Sequence, residues 1–99
     1  MIIYYIDGKK YTTDDEKEIS WNNISSPDEN TPAAENLKTG ENLWCLKGDK
    51  WHRLTGPAYI WVDYAYGLNG KRYYNIHDWL KDHPNQSNAF QIEMLLKHT

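Results

Sequence analysis

Tyr4-Tyr5-Ile6-Asp7-Gly8-Lys9-Lys10-Tyr11 aligns without a gap on Tyr66-Gly67-Leu68-Asn69-Gly70-Lys71-Arg72-Tyr73. The outer tyrosines, the glycine and the lysine after it coincide, and Ile/Leu, Asp/Asn and Lys/Arg are chemical equivalents. Asp-Gly and Asn-Gly each supply the two positive-φ positions of a type I′ turn, so each copy predicts a two-residue β-hairpin. The first hairpin joins a strand over Ile2 to Ile6 to one over Lys9 to Tyr11; the second joins Tyr64 to Leu68 with Lys71 to Tyr74. A looser third copy, Trp44-Cys45-Leu46-Lys47-Gly48-Asp49-Lys50-Trp51, has lost the Asn-Gly order.

The residues after the two turns repeat as well. Thr13 and Glu16 form a capping-box pattern that predicts a helix over Asp14 to Asn22. Asn75 is a good N-cap for a helix over Ile76 to His83, with Asp78 favourable in its first turn and Pro84 ending it. Ser87 can cap a last helix, in which Phe90, Met94 and Leu95 share a face. Between the hairpins, Ala58, Ile60 and Val62 alternate with Tyr59, Trp61 and Asp63, the period of a strand with one aliphatic and one aromatic face. Residues 25–42 are polar and interrupted by Pro27 and Pro32, which predicts a mobile loop, with one helical turn over Ala33 to Lys38 stopped by Gly40. The expected architecture is α+β: an antiparallel sheet of four or five strands with two or three short helices packed against it. The chain of 99 residues fits one domain.

Five Trp and eight Tyr must supply the core. Each buries ~150–250 Å² and keeps a polar atom that wants a partner. Cys45 is the sole cysteine, which rules out an internal disulfide and favours a reducing, cytoplasmic setting over a stapled secreted scaffold. The apolar run Ile2 to Ile6 ends at Asp7, too short for a signal h-region or a membrane span. Charge is lopsided: nine acids face four bases up to Asn42, and seven bases face five acids from Leu43 onward, for a net −3. That balance argues against direct nucleic-acid binding, which needs a basic surface to release counterions. Asp14, Asp15, Glu16 and Glu18 form the densest acidic run, suited to steering toward a basic protein partner.

Trp51-His52-Arg53-Leu54-Thr55-Gly56-Pro57-Ala58, followed by Gly67-Leu68-Asn69-Gly70-Lys71, resembles a repeat of small phage and prophage proteins. That repeat is related to the MORN type and reads His-Arg-x-x-Gly-Pro-Ala, then Tyr-x-Asn-Gly-Lys, forming a ladder of stacked β-hairpins. The match runs from Trp44 to Lys71, with only one full unit and a shortened segment between Ala58 and Asn69. Repeat stacks need several units for a continuous core, so helices are expected to close the sheet here. The resemblance implies a phage or mobile-element origin and a binding role, and brings no catalytic residues with it.

Four groups of residues are candidates for chemistry. Cys45 and His52 would make a thiol nucleophile and its base if they met, but no third partner or oxyanion element is visible, and a buried structural cysteine is the better account. His77, Asp78, Asp82 and His83 lie on or beside one short helix without further ligands at fitting spacing, so neither metal nor cofactor is expected. Trp51, Arg53, Lys71 and Arg72 pair cations with aromatic faces, as a nucleotide site does and as an aromatic core with snorkelling cations also does. Tyr59 and Trp61 are expected to show an aromatic patch to a partner if helices cover only the other face. The reading is a non-catalytic protein-binding module, an anti-CRISPR-like antagonist that blocks a basic host defence protein by steric contact. The alternatives are a nucleotide-signal sponge and a nucleic-acid-binding protein.

Overall fold

The computed structural model describes residues 1–98. Nine strands and two helices follow in order: β1 (Ile2–Ile6), β2 (Lys9–Thr13), β3 (Ala34–Asn36), β4 (Asn42–Leu43), β5 (Cys45–Leu46), β6 (Lys50–Trp51), β7 (Tyr59–Ile60), β8 (Tyr64–Leu68), β9 (Lys71–Tyr73), α1 (Ile76–Asp82) and α2 (Asn88–His98). Seven strands form one antiparallel sheet in the order β2-β1-β3-β4-β7-β8-β9, and β5-β6 is a separate hairpin. The class is α+β as expected, with more strands than the four or five predicted.

Both matched turns have the predicted geometry. Asp7 and Gly8 take φ of 51° and 80°, Asn69 and Gly70 take 51° and 93°, and the strands pair Ile6 with Lys9 and Leu68 with Lys71. The third copy is also a hairpin, pairing Leu46 with Lys50 across three residues, so losing the Asn-Gly order lengthens the reversal by one.

Direct cross-strand partners share a face, and following the register assigns both faces of the sheet. Tyr11, Tyr4, Ala34, Leu43, Tyr59 and Ala65 form one continuous row, here called face A. Thr12, Ile3, Glu35, Asn42, Ile60 and Tyr64 form the opposite row, face B. Tyr66, Leu68 and Tyr73 alternate onto face B, where Ile76, Trp79, Leu80 and Met94 of the two helices bury against them. A second buried cluster lies at the other end, where Ile19, Ile24 and Cys45 pack with Ile2 and Ala34 on face A. The helices therefore cover face B at the β8-β9 end, and loops with the β5-β6 hairpin cover face A.

Gly67 explains how that hairpin docks. On face A of β8, a Cβ at this position would lie 2.6 Å from the Trp51 carbonyl carbon and 2.6 Å from its oxygen. The bare glycine lets the Trp51 backbone rest on the sheet, where Gly70 N donates to Trp51 O at 3.0 Å and Arg53 N to Gly67 O at 3.1 Å. On either side, Tyr59 of β7 stacks on the Trp51 indole at 5.3 Å and 9°, and the Arg72 guanidinium of β9 lies 4.0 Å from its ring.

The first helix is a correction. Residues 14–22 hold only a single 3-10 turn, Glu16–Glu18. The capping box does not close: the Thr13 hydroxyl donates to Glu18 Oε2 at 2.7 Å, and the Asp15 side chain caps the turn by accepting from Lys17 N. A longer helix had no apolar stripe to bury, and Ile19 and Ile24 reach the core more directly from an irregular chain. The helical turn expected over Ala33 to Lys38 is strand β3, held between β1 and β4, so residues 25–42 are not one loop. The alternation expected through Val62 stops at Ile60, because Trp61 to Asp63 bend away and Val62 is exposed. By contrast, Asn75 accepts from His77 N at 2.7 Å and Ser87 Oγ accepts from Phe90 N at 3.3 Å, so α1 and α2 start as read.

Candidate functional site

A small cleft opens on face A over the edges of β1, β3, β4 and β7. Its floor is apolar, from Ile2, Ala34 and Leu43, and its aromatic walls are Tyr59 and Trp21, the latter from the loop after the 3-10 turn. Glu16 and Glu41 supply carboxylates, and no Lys, Arg or His lines the cleft among the described residues. The cleft is half open to solvent and its volume is about 90 Å³, well under the ~300–1,000 Å³ of clefts that envelop a whole small ligand. It has room for one side-chain head group.

Tyr59 and Glu41 are bound together. The phenol donates to Glu41 Oε2 at 2.6 Å, and the Thr39 hydroxyl donates to Oε1 at 3.0 Å. Burial first, and the hydrogen bond to Glu41 second, push the Tyr59 phenol up to about 12, so it stays a donor through neutral pH. Each carboxylate oxygen has a second lone pair, so Glu41 keeps the capacity to accept from a ligand. The surroundings are electron-rich: two carboxylates beside two aromatic faces favour a cation.

The expected partner residues divide. Of the acidic run only Glu16 lines the cleft, while Asp15 caps the turn, Glu18 accepts from Thr13 and Asp14 lies 3.5 Å from the Met1 amino group. All four remain exposed around the cleft's loop. Tyr59 is a cleft wall, half-buried under Trp51, whereas Trp61, on the exposed bend after β7, does not line the cleft.

The expected ligand residues are mostly occupied by the fold. The Arg53 guanidinium lies 3.8 Å from the Trp44 ring, with Nε donating to Glu29 O at 3.0 Å and Nη1 to Pro57 O at 3.2 Å. Burial lowers the Arg53 pKa, and the Glu29 carboxylate opposes that fall. Glu29 Oε1 itself accepts from Leu54 N and Thr55 N, fastening this loop from a distant stretch of chain. Trp51 and Arg72 belong to the stack over Gly67. Lys71 Nζ and the Tyr73 hydroxyl both donate to Asp82 Oδ2, at 3.1 and 2.8 Å. Those two bonds, Tyr73's first, lower the Asp82 pKa, and the bond to Asp82 raises that of Lys71. An open groove of about 500 Å³ runs past Lys71, Arg72 and Tyr74, but Asp78 and Asp82 line it beside the bases.

Cys45 and His52 do not form a dyad. The Cys45 thiol donates to Ile24 O at 3.6 Å, and His52 Nδ1 accepts from Asn69 N at 3.0 Å. Burial pushes the thiol up to about 12, with the Asp49 carboxylate adding to the rise. Alkylation requires the thiolate, so native protein at pH 8 is expected to resist iodoacetamide for hours and to label fully once unfolded; rapid native labelling would contradict the burial. His83 is likewise committed, its Nε2 to Leu54 O at 2.8 Å and its Nδ1 to Asn85 N at 2.9 Å. No group of three or more His, Cys, Asp or Glu gathers in metal-binding geometry among the described residues. No described helix is long and apolar enough to cross a membrane.

Glu41 and Trp21 are the cleft residues that sequence reasoning missed. Glu41 meets Tyr59 across 18 positions with no local pattern to announce it, whereas Trp21 carried a signal: a large aromatic in an acidic stretch without apolar neighbours at helical spacing. No family model, no curated protein and no solved structure matches the chain.

Proposed function

We propose that the chain is a non-catalytic protein-binding module whose acidic, aromatic-walled side engages a basic protein, blocking a surface that would otherwise hold nucleic acid. The observation that supports this is the cleft itself: Glu16 and Glu41 with Trp21 and Tyr59, no basic residue lining it among the described residues, and Asp14, Asp15 and Glu18 exposed alongside. Exposed carboxylates of one sign raise the encounter rate with a positive surface, and the half-buried Tyr59 with the exposed Trp21 adds affinity once contact is made. A phage-type antagonist of a host defence protein, as the hairpin resemblance implies, fits this chemistry because nucleic-acid-handling proteins present such basic surfaces.

The test is capture from a bacterial lysate by the immobilised chain and by its D14K/D15K/E18K variant, with single-stranded DNA retention measured in parallel. The expected outcome is a basic, nucleic-acid-binding protein held at low salt by the wild type, released at high salt, and lost from the variant. Equal capture by both proteins, or retention of the chain on DNA, contradicts the proposal. The nucleotide-signal alternative has its best seat in the groove beside Lys71 and Arg72, where two acids oppose it. A thermal shift of several degrees with a cyclic nucleotide would support it.

A further inference from the structure

Resting on that reading, we infer that the face A cleft is the seat of a single arginine side chain presented by the partner polypeptide. The size bears on the occupant first: about 90 Å³ in the half-open cleft seats a head group, and anything larger would lie mostly outside it. The charge limits it next, since two carboxylates without a balancing base repel anions and leave a neutral occupant with nothing to neutralise. Shape then favours guanidinium over ammonium. A guanidinium is planar, stacks on aromatic faces, is weakly hydrated and forks onto a carboxylate through two parallel N–H donors, whereas an ammonium is a strongly hydrated point charge. The walls are an indole and a phenol, and Glu41 retains accepting capacity on both oxygens. This chain already places guanidinium on indole twice, Arg53 on Trp44 at 3.8 Å and Arg72 on Trp51 at 4.0 Å.

The division of labour is specific. Glu41, fixed by Tyr59 and Thr39, anchors the fork; Trp21 covers the guanidinium plane; and Glu16, exposed on its short turn, adds charge at the mouth. Asp14, Asp15 and Glu18 act at longer range and do not touch the head group.

The probe is an acetylated, amidated Gly-Arg-Gly peptide, titrated into ¹⁵N-labelled protein and followed by amide and indole N–H shifts, with Gly-Lys-Gly and Gly-citrulline-Gly as matched peptides. The expected result is saturable shifts at the Trp21 indole and around Glu41 and Leu43, weaker with lysine and absent with the isosteric but uncharged citrulline. E41Q and W21A are each expected to weaken arginine binding by tenfold or more, while D14K/D15K/E18K weakens it only slightly. W21A changes an exposed residue and so separates loss of the site from loss of the fold. Citrulline binding as tightly as arginine, shifts centred elsewhere, or no shift at tens of millimolar peptide would overturn the assignment. Free guanidinium binding equally well would show that no polypeptide source is selected, and would overturn it too. The outcomes separate from those of the function itself: partner capture that survives E41Q and W21A removes the arginine seat and leaves the binding role standing. Arginine binding without any captured partner does the reverse.

Discussion

Gly67→Ala is expected to lower the unfolding free energy by about 3 kcal/mol or more, at the upper end for overpacking a close contact. Gly67 has no positive φ, so nothing about its own backbone demands glycine. The demand comes from across the contact, where the new methyl would meet the Trp51 carbonyl group and Cβ at 2.6 to 2.7 Å. These are backbone atoms or sit next to backbone, so they cannot swing aside as a lysine tip can. Relief requires lifting β6 off β8, and that loses the Gly70-to-Trp51 and Arg53-to-Gly67 hydrogen bonds together with both faces of contact on Trp51. Gly8→Ala is the informative comparison. Its φ of 80° is left-handed, yet nothing lies within 4 Å of a Cβ there, so only the ~1–2 kcal/mol of left-handed strain is expected. Denaturant midpoints should rank wild type above Gly8→Ala and Gly8→Ala above Gly67→Ala. The opposite order would show that the hairpin does not rest on β8.

Trp79→Ala should be as damaging, at about 3–5 kcal/mol for deleting a buried indole. Trp79 is fully buried, joins the helices to face B and touches Tyr66 at 4.9 Å, His83 at 5.0 Å and Phe90 at 6.5 Å between ring centroids. In a domain of this size such a loss lowers the melting temperature by ~4–8 °C per kcal/mol. Trp79→Phe provides a sharper reading. The Trp79 Nε1 is buried without a partner, so replacing indole by phenyl forfeits volume but no hydrogen bond and is expected to recover most of the stability. A Phe variant as unstable as the Ala variant would mean that the indole N–H is bonded after all.

What the sequence made legible follows from where the determining physics is local. Asp7-Gly8 and Asn69-Gly70 declare their geometry because few other pairs tolerate two consecutive positive φ angles. Asn75, Ser87 and Pro84 bound the helices because caps and breakers act within a turn. Strand β3 was hidden for the opposite reason. Ala34-Glu35-Asn36 has little strand propensity, and its conformation is set by β1 and β4 pairing on both sides. Thr13 and Glu16 matched a helix start, but Thr13 satisfied Glu18 instead, and the residues that followed offered no amphipathic face.

The candidate site was legible in part. The acidic run and Tyr59 stand out in the sequence, yet their relation to Glu41 depends on Tyr59 and Leu43 standing opposite each other in the sheet, a register that involves β4, which sequence pattern did not reveal. Trp51, Arg53, Lys71 and Arg72 read in the sequence as cations paired with aromatic faces. The structure uses three of them in stacks that hold the β5-β6 hairpin and its following loop, and the fourth, Lys71, against Asp82. The missed signal was Gly67 within an otherwise regular strand, a position that marks close backbone approach.

The central claim is that this side of the molecule is built for a positively charged protein surface. Calorimetric titration of an arginine-rich peptide at low and high salt tests it most directly, with an oligothymidine of equal length as the comparison. The account predicts binding of the peptide that weakens as salt screens the exposed acids, and no binding of the oligonucleotide. Affinity for the peptide that is absent at low salt, or tighter binding of the oligonucleotide, would contradict it.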